Sequence, residues 1–457
     1  MSHPRGSEPL LRLPDGTVKQ VSPLTGTVVW TVPGRGGRPR QLEHGWGGPV
    51  DPEEADPLGA PTERRHPGPP PQKADRLCAF CEGRYLDTPP EKARLVLTDS
   101  GPQVLRHLPA ARLDETVAEL RRVPNLYEIL SVEYWRANHG YQPSPDVLGR
   151  ATTYTADEVG RAHVLDMLGR RAAATGLSGV WATESEAEKL AEAVDLFAGS
   201  HDVVIARRHL IEGARHTDQL AGAGTLTPQE HERYLGFTVD AMRALYVSQP
   251  HARYVSVFQN WLRPAGASFD HLHKQLVAID ESGPQTEREL ARLAAEPDVY
   301  TTAILDHAAA HRLVVAENEH AIAVAGVGHR YPALEVYSRS RHHLPWDHSA
   351  EERRGFSDLL HALHAATGVH VPTNEEWHYR PPAADQPMPW HVVLKWRVST
   401  LAGFEGGTKI NVNTIDPFTL RDRTVAALRS LRDQGRVAAP RIGEECSHAL
   451  GVLRYAD

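Results

Sequence analysis

The stretch FQNWLRPAGASFDHLHKQL, residues 258–276, constrains the fold of this chain more than any other. Two strand-like runs, RYVSVFQN and HLHKQLVAI, flank a segment holding Pro264 and Gly266, a pattern that predicts two strands joined by a turn. Side chains two apart in a strand point to one face, so His271, His273 and Gln275 are expected to line up. One reading is a surface strand with polar alternation, in which Asn260 merely ends a strand and Ser268 caps the turn. The other is chemical. A neutral imidazole at His273 can attack phosphorus. The turn Gly266-Ala267-Ser268 can offer backbone N–H groups and a hydroxyl to phosphate oxygens.

Cys78 and Cys81 form the second constraint. A C-x-x-C turn brings two thiolates to one side, where they can share a tetrahedral metal. A redox pair has the same spacing, but no thioredoxin-like context surrounds this one. Two more ligands are needed, and histidine commonly supplies them. His201, at the head of HDVVIARR, and His271 are the best placed. The only other cysteine is Cys446, so there is no disulfide framework and the usage fits a reducing cytoplasm.

A net charge of −8 gives no reason to expect nucleic acid or an acidic membrane as partner. No run approaches the length of a membrane span, and MSHPRGSEPLL has no apolar core of a signal peptide. TVVWTV reads as a short N-terminal strand, and residues 41–75 read as a Pro- and Gly-rich extended loop. RLVLTD and the segment around VPNLYEIL are further strand candidates. Residues 131–198 carry helical periodicity. HDVVIARR reads as a strand, and residues 227–248 as a helix opened by a Thr-Pro-x-Glu cap. A helix is expected near 286–296. The second half repeats strand, strand, helix, strand, ending in WHVVLKWRVS.

These motifs, in this order, resemble the galactose-1-phosphate uridylyltransferase family of the histidine triad (HIT) superfamily, including its ADP-glucose phosphorylase-like members. SPLTGTVVWTVPGRGGRPRQ is similar to the family's N-terminal motif, whose arginines contact nucleotide phosphates, which marks Arg35 and Arg38. CAFCEGRYLDTPPE resembles its zinc knuckle. VPNLYEIL resembles its nucleoside-binding segment and marks Asn125. GSHDVVIARRH resembles the segment whose first histidine ligates zinc, here His201. FQNWLRPAGASFDHLHKQ resembles its nucleophile motif, and STLAGFEGGTKINVN its sugar-contacting segment, marking Phe404, Glu405 and Asn411. The resemblance covers most of the chain. It implies an α+β fold of two tandem HIT-like domains, antiparallel half-barrel sheets with packed helices. Domains are then expected at 76–298 (catalytic) and 299–457, after an N-terminal segment 1–75.

The resemblance further implies that His273 takes a nucleoside monophosphate from a nucleotide donor as a covalent nucleotidyl-histidine. A sugar phosphate or inorganic phosphate then accepts it, in ping-pong order. Ser268, Gln275, Asn260 and Gly266 would surround the phosphate, and Cys78, Cys81, His201 and His271 would hold one structural zinc. Glutamine at Gln275, where the hydrolytic branch has a third histidine, favours transfer over hydrolysis. A hydrolase or phosphorylase of nucleotide sugars or dinucleoside polyphosphates, and a zinc-containing nucleotide binder without catalysis, are the competing functions. A homodimer is expected, with the sugar segment of one subunit completing the other's site.

Three departures stand out. Residues 131–198 exceed the family's usual connection and form a helical insertion: a lid, a dimer contact, a specificity element or a surface elaboration. Where many relatives read HWHxE, this chain reads PWHVV: Pro389 precedes, His391 remains, and Val393 stands at the acidic position. With His378 as the other candidate ligand, a second metal site is not expected. Ser399 lies where uridylyltransferases carry a lysine, so galactose 1-phosphate is not the expected acceptor.

Overall fold

The computed structural model describes residues 8–34, 77–446 and 453–456. Arg35, Arg38 and the Pro-rich segment 41–75 lie outside the described residues.

The chain is α+β. Among the described residues sixteen strands form two sheets. The small sheet joins β1 (Leu10–Arg12), β2 (Val18–Val21), β3 (Val28–Thr31) and, from the far end of the chain, β15 (Ile410–Asn413). The large sheet has twelve strands. Its first half is β4 (Ala93–Thr98), β5 (Gly101–Arg106), β6 (Leu120–Pro124), β7 (His201–Ala206), β8 (Tyr254–Trp261) and β9 (His273–Ile279). Its second half is β10 (Val314–Glu317), β11 (Ala321–Ala325), β12 (Ala333–Ser338), β13 (Thr373–His378), β14 (His391–Trp396) and β16 (Arg441–Ile442). The order across the sheet is β16-β10-β11-β12-β14-β13-β8-β9-β7-β6-β4-β5, and every pair within it is antiparallel.

The halves meet where β8 pairs with β13, with Asn260 opposite Asn374. Outward from that seam one half runs β8-β9-β7-β6-β4 and the other β13-β14-β12-β11-β10. Each half places one long helix before its central strand: Pro228–Ser248 before β8 and Ala350–Thr367 before β13. The first of these helices starts as the sequence predicts. Thr227 and Glu230 form a reciprocal capping box with Pro228 in the first turn, and Ser349 and Glu352 form another. Their buried faces, Tyr234, Leu235, Met242 and Leu245 on one and Phe356, Leu359, Leu360 and Leu363 on the other, belong to one continuous apolar core.

The insertion is helical throughout. Val132–His139, Pro145–Ala156 and Glu158–Ala174 are capped by Ser131, Ser144 and Asp157, each accepting a backbone N–H. Tyr154, Val164, Met167, Leu168 and Leu196 form a separate small core, against which Leu126 packs. The insertion is also pinned to the cysteine knuckle, because His163 sits between the Tyr154 hydroxyl and the Thr88 carbonyl.

Two strand expectations need trimming. β6 stops at Pro124, because the Asn125 side chain accepts the Tyr127 N–H at 2.9 Å and turns the chain. β9 begins at His273, so the alternation of faces covers His273 and Gln275 while His271 stands just before the ladder. Among the described residues no helix is long and apolar enough to cross a membrane.

Candidate active site and metal centre

The β8–β9 hairpin delivers the nucleophile candidate. Its connection leaves β8 through Leu262 at φ +66° and turns again at Gly266, at φ +91°, a conformation glycine adopts without strain. Lys274, Leu276 and Ala278 are fully buried against the core, so His273 and Gln275 face the other way. Asn260 on β8 shares their face, and its side-chain oxygen accepts from Asn374 Nδ2 at 2.7 Å. Gly266 and Ser268 are exposed on the connecting loop.

His273 is oriented by its own chain. Its Nδ1 lies 2.7 Å from the His271 carbonyl, which can only accept, so Nδ1 carries the proton and Nε2 keeps its lone pair. Burial moves the His273 pKa down to about 4, which keeps the ring neutral at physiological pH. The ring of Phe80, from between the two cysteines, packs edge-on at 5.2 Å, and Phe269 lies 4.5 Å beyond it.

The metal centre corrects one sequence expectation. The donors brought together are Cys78, Cys81, His209 and His271, and they are placed to hold a metal ion. The sulfurs are 3.8 Å apart. Nδ1 of His209 lies 3.4 and 3.6 Å from them, and Nδ1 of His271 lies 3.5 and 3.9 Å from them. His271 Nε2 donates to the Ala206 carbonyl at 2.6 Å, which aims Nδ1 at the sulfurs. The Cys81 thiol is pulled down by the Cys78 hydrogen bond and by both imidazoles, while its neighbour's is pushed up. Of two adjacent thiols only one ionises readily until a cation lies between them.

His201 is not a ligand. It opens β7, whose last residue, Ala206, holds His271. At about 3.3 Å per residue the strand carries His201 roughly 16 Å back from that end. There it joins the nucleoside segment instead. Its ring lies 3.0 Å from Gln275 Oε1 and 3.1 Å from Asn125 Nδ2, and its carbonyl accepts the Asn125 N–H at 2.7 Å. Glu128 closes the same turn: its carboxylate accepts from the Ser200 and His201 N–H groups, and burial raises its pKa to about 7.

The remaining described site residues lie on β15 of the small sheet and on the short helix Gly403–Thr408 before it. Phe404 is exposed, with its ring 6.4 Å from Trp30 of β3. Glu405 caps its own short helix at Ala402. Asn411 on β15 is buried and donates to the Val28 carbonyl. β15 runs parallel to β3, the strand that leads towards Arg35 and Arg38. The sugar-type segment and the stem of the phosphate-type segment are therefore neighbours, on a different sheet from His273.

A second group of donors stands at His378 and His391, where a second metal site was not expected. Glu289, His378 and His391 are buried with their ligand atoms within 4.8 Å of one another. His378 and His391 face each other across β13 and β14 with stacked rings, and His391 Nδ1 donates to the Pro389 carbonyl. The acid missing at Val393 is supplied by the helix Pro284–Ala295. Three donors in reach of one point could hold an ion.

A family model for a domain of unknown function, DUF4921, matches residues 13–455. The chain belongs to that family. No curated protein sequence matches it. Among solved structures, the fold of this DUF4921 protein is similar to that of an ADP-glucose phosphorylase from Arabidopsis thaliana with bound ADP-glucose. The TM-score is 0.55 at 18% identity, over 89% of this chain and 97% of that one. It is also similar to a GalT-like protein from Arabidopsis thaliana, at TM-score 0.50 and 20% identity, over 78% of this chain and 93% of that one. The fold of this chain is thus similar to that of GalT-like proteins, at low sequence identity.

Four residues of these sites escaped sequence reasoning: His209, Phe80, Glu128 and Glu289. His209 ends the same quoted motif as His201, and Phe80 sits inside the C-x-x-C turn. Glu128 and Glu289 carry no local signal.

Proposed function

We propose that this protein is a nucleotidyltransferase acting on nucleotide sugars through a covalent nucleotidyl-histidine at His273. The observation that carries the reading is the His271 carbonyl on His273 Nδ1, which leaves Nε2 as the free nucleophile of a buried, neutral ring. In the first step the Nε2 lone pair attacks the α-phosphorus of the donor. A P–N bond forms, the bond to the bridging oxygen breaks, and a sugar 1-phosphate leaves with the electron pair. In the second step an oxygen of a sugar phosphate or inorganic phosphate attacks the same phosphorus, and the P–N bond returns its electrons to Nε2. The Gln275 amide and the Ser268 hydroxyl donate hydrogen bonds to the phosphoryl oxygens as their charge develops. Asn125 and Asn260 border the nucleotide, and Gly266 lets the loop approach it. Arg35 and Arg38 neutralise the phosphates with their guanidinium forks. Phe404, Glu405 and Asn411 meet the sugar. The ADP-glucose bound by one structural relative supports a nucleotide sugar as donor.

The metal we assign is zinc. A tetrahedron with Zn–S of about 2.3 Å and Zn–N of about 2.0–2.1 Å has S–S edges of about 3.8 Å and S–N edges of about 3.5–3.6 Å. The donor separations of 3.8 Å and 3.4–3.9 Å fit those edges. A closed four-protein-ligand site is structural. Its part in catalysis is to hold His271, whose carbonyl holds His273.

The matching strand order on either side of the β8–β13 seam supports two tandem HIT-like domains, 76–298 and 299–457, after an N-terminal segment 1–75. The placement of Phe404 and β3 outside the sheet that carries His273 is in keeping with a homodimer in which the sugar segment of one subunit completes the other's site. We place the protein in the cytoplasm, in keeping with its unpaired cysteines.

Brief mixing with UDP-glucose, ADP-glucose, a GDP-sugar or ATP, without acceptor, is expected to add one nucleotide to the wild-type mass. His273→Ala is expected to show no adduct while retaining its metal. An adduct of equal yield on His273→Ala would overturn the mechanism.

A further inference from the structure

His201, released from the metal centre, has every polar atom engaged at the junction of two substrate-facing segments. Its ring is 2% exposed. Nδ1 lies 3.3 Å from the Ile129 N–H and must accept from it, since a backbone N–H only donates. The proton of the neutral ring is therefore on Nε2, and Nε2 donates to Gln275 Oε1 at 3.0 Å. The His201 carbonyl takes the Asn125 N–H, and its own N–H goes to Glu128.

We infer that His201 is a positioning residue for the transfer step, fixing the amide of Gln275 so that it presents N–H groups to the nucleotide. The inference rests on the nucleotidyl-transfer reading of this site. The physical need is specific. A glutamine amide has an accepting and a donating end of nearly equal size, and a phosphoryl oxygen takes only donors. With its oxygen held by His201, Gln275 has only its NH₂ end to offer. Asn125 is oriented by its own turn and not by the ring: its oxygen accepts the Tyr127 N–H at 2.9 Å, which leaves its NH₂ end for other partners. One imidazole thereby ties the segment expected to bind the nucleoside, Asn125 to Ile129, to the strand that carries His273.

Two substitutions separate the ring's two nitrogens. His201→Asn keeps an acceptor near the Nδ1 position and removes the donor to Gln275. His201→Gln restores an amide N–H near the Nε2 position. Single-turnover nucleotidylation of His273 is expected to slow about tenfold to a hundredfold in His201→Asn, the scale for a mispositioned catalytic group or a lost donor. Donor affinity should stay within about threefold and metal content should be unchanged. His201→Gln is expected to recover most of the rate. Adding Gln275→Ala to His201→Asn should cost little more, because residues acting as a unit are not additive. A His201→Asn protein as fast as wild type, or one that loses its metal, would overturn the inference. Should wild type form no adduct with any donor, the transfer reading falls, yet the arrangement is still decided by histidine ¹⁵N shifts. An Nε2-protonated His201 supports it, and an Nδ1-protonated ring refutes it.

Discussion

Replacing His209 with alanine is expected to empty the structural metal centre, and replacing His201 is not. The size of the effect follows from what the ion joins. Cys78 and His209 are 131 residues apart, and Cys78 and His271 are 193 apart. An ion held by these donors would cross-link the knuckle, the loop after β7 and the loop before β9. Closing a loop of about 130 residues is worth about 5 kcal/mol on the chain-entropy scale for cross-links. His209→Ala, by losing the ion, is expected to cost about that much. His201→Ala leaves the Ile129 N–H and Gln275 Oε1 without their partner and is expected to cost about 1–3 kcal/mol, with the ion retained. The assay is metal content by mass spectrometry after dialysis against a chelator, followed by urea unfolding of each variant. One ion per chain surviving in His209→Ala, or the ion lost from His201→Ala, would refute the assignment.

Two further outcomes test how the molecule is assembled. If the sugar-contacting segment of each subunit serves the other, an unfolded and refolded equimolar mixture of His273→Ala and Glu405→Ala chains, each inactive alone, should regain about a quarter of wild-type activity, because half the dimers carry one intact site of two; no recovery would mean each subunit completes its own site. At the seam, Lys274 Nζ lies 2.5 Å from Glu375 Oε1, and neither side chain has any solvent exposure. Lys274→Met is expected to destabilise the fold by about 3–5 kcal/mol by leaving a buried carboxylate without its cation, and urea denaturation at neutral pH measures it.

Much of this protein was legible in its local pattern. The insertion helices announce themselves through periodicity, and the structure adds Ser131, Ser144 and Asp157 as the caps at three of their starts. Thr227, Pro228 and Glu230 mark the start of their own helix. Alternation along β9 put His273 and Gln275 on one face, because a strand repeats every two residues whatever it pairs with. Choosing between His201 and His209 was beyond local reasoning. Both sit in one short segment, and the choice depends on the register in which β7 pairs β9, with His201 opposite Val277 and Ile205 opposite His273. Register is a relation between segments far apart in sequence, fixed by packing and by the loops at either end. Glu289 reached His378 and His391, and Phe80 reached His273, for the same reason. Local pattern along the chain settled the elements, their faces and the kinds of chemistry available. Which donors converge was left to packing, because convergence depends on distances through space that no spacing along the chain encodes.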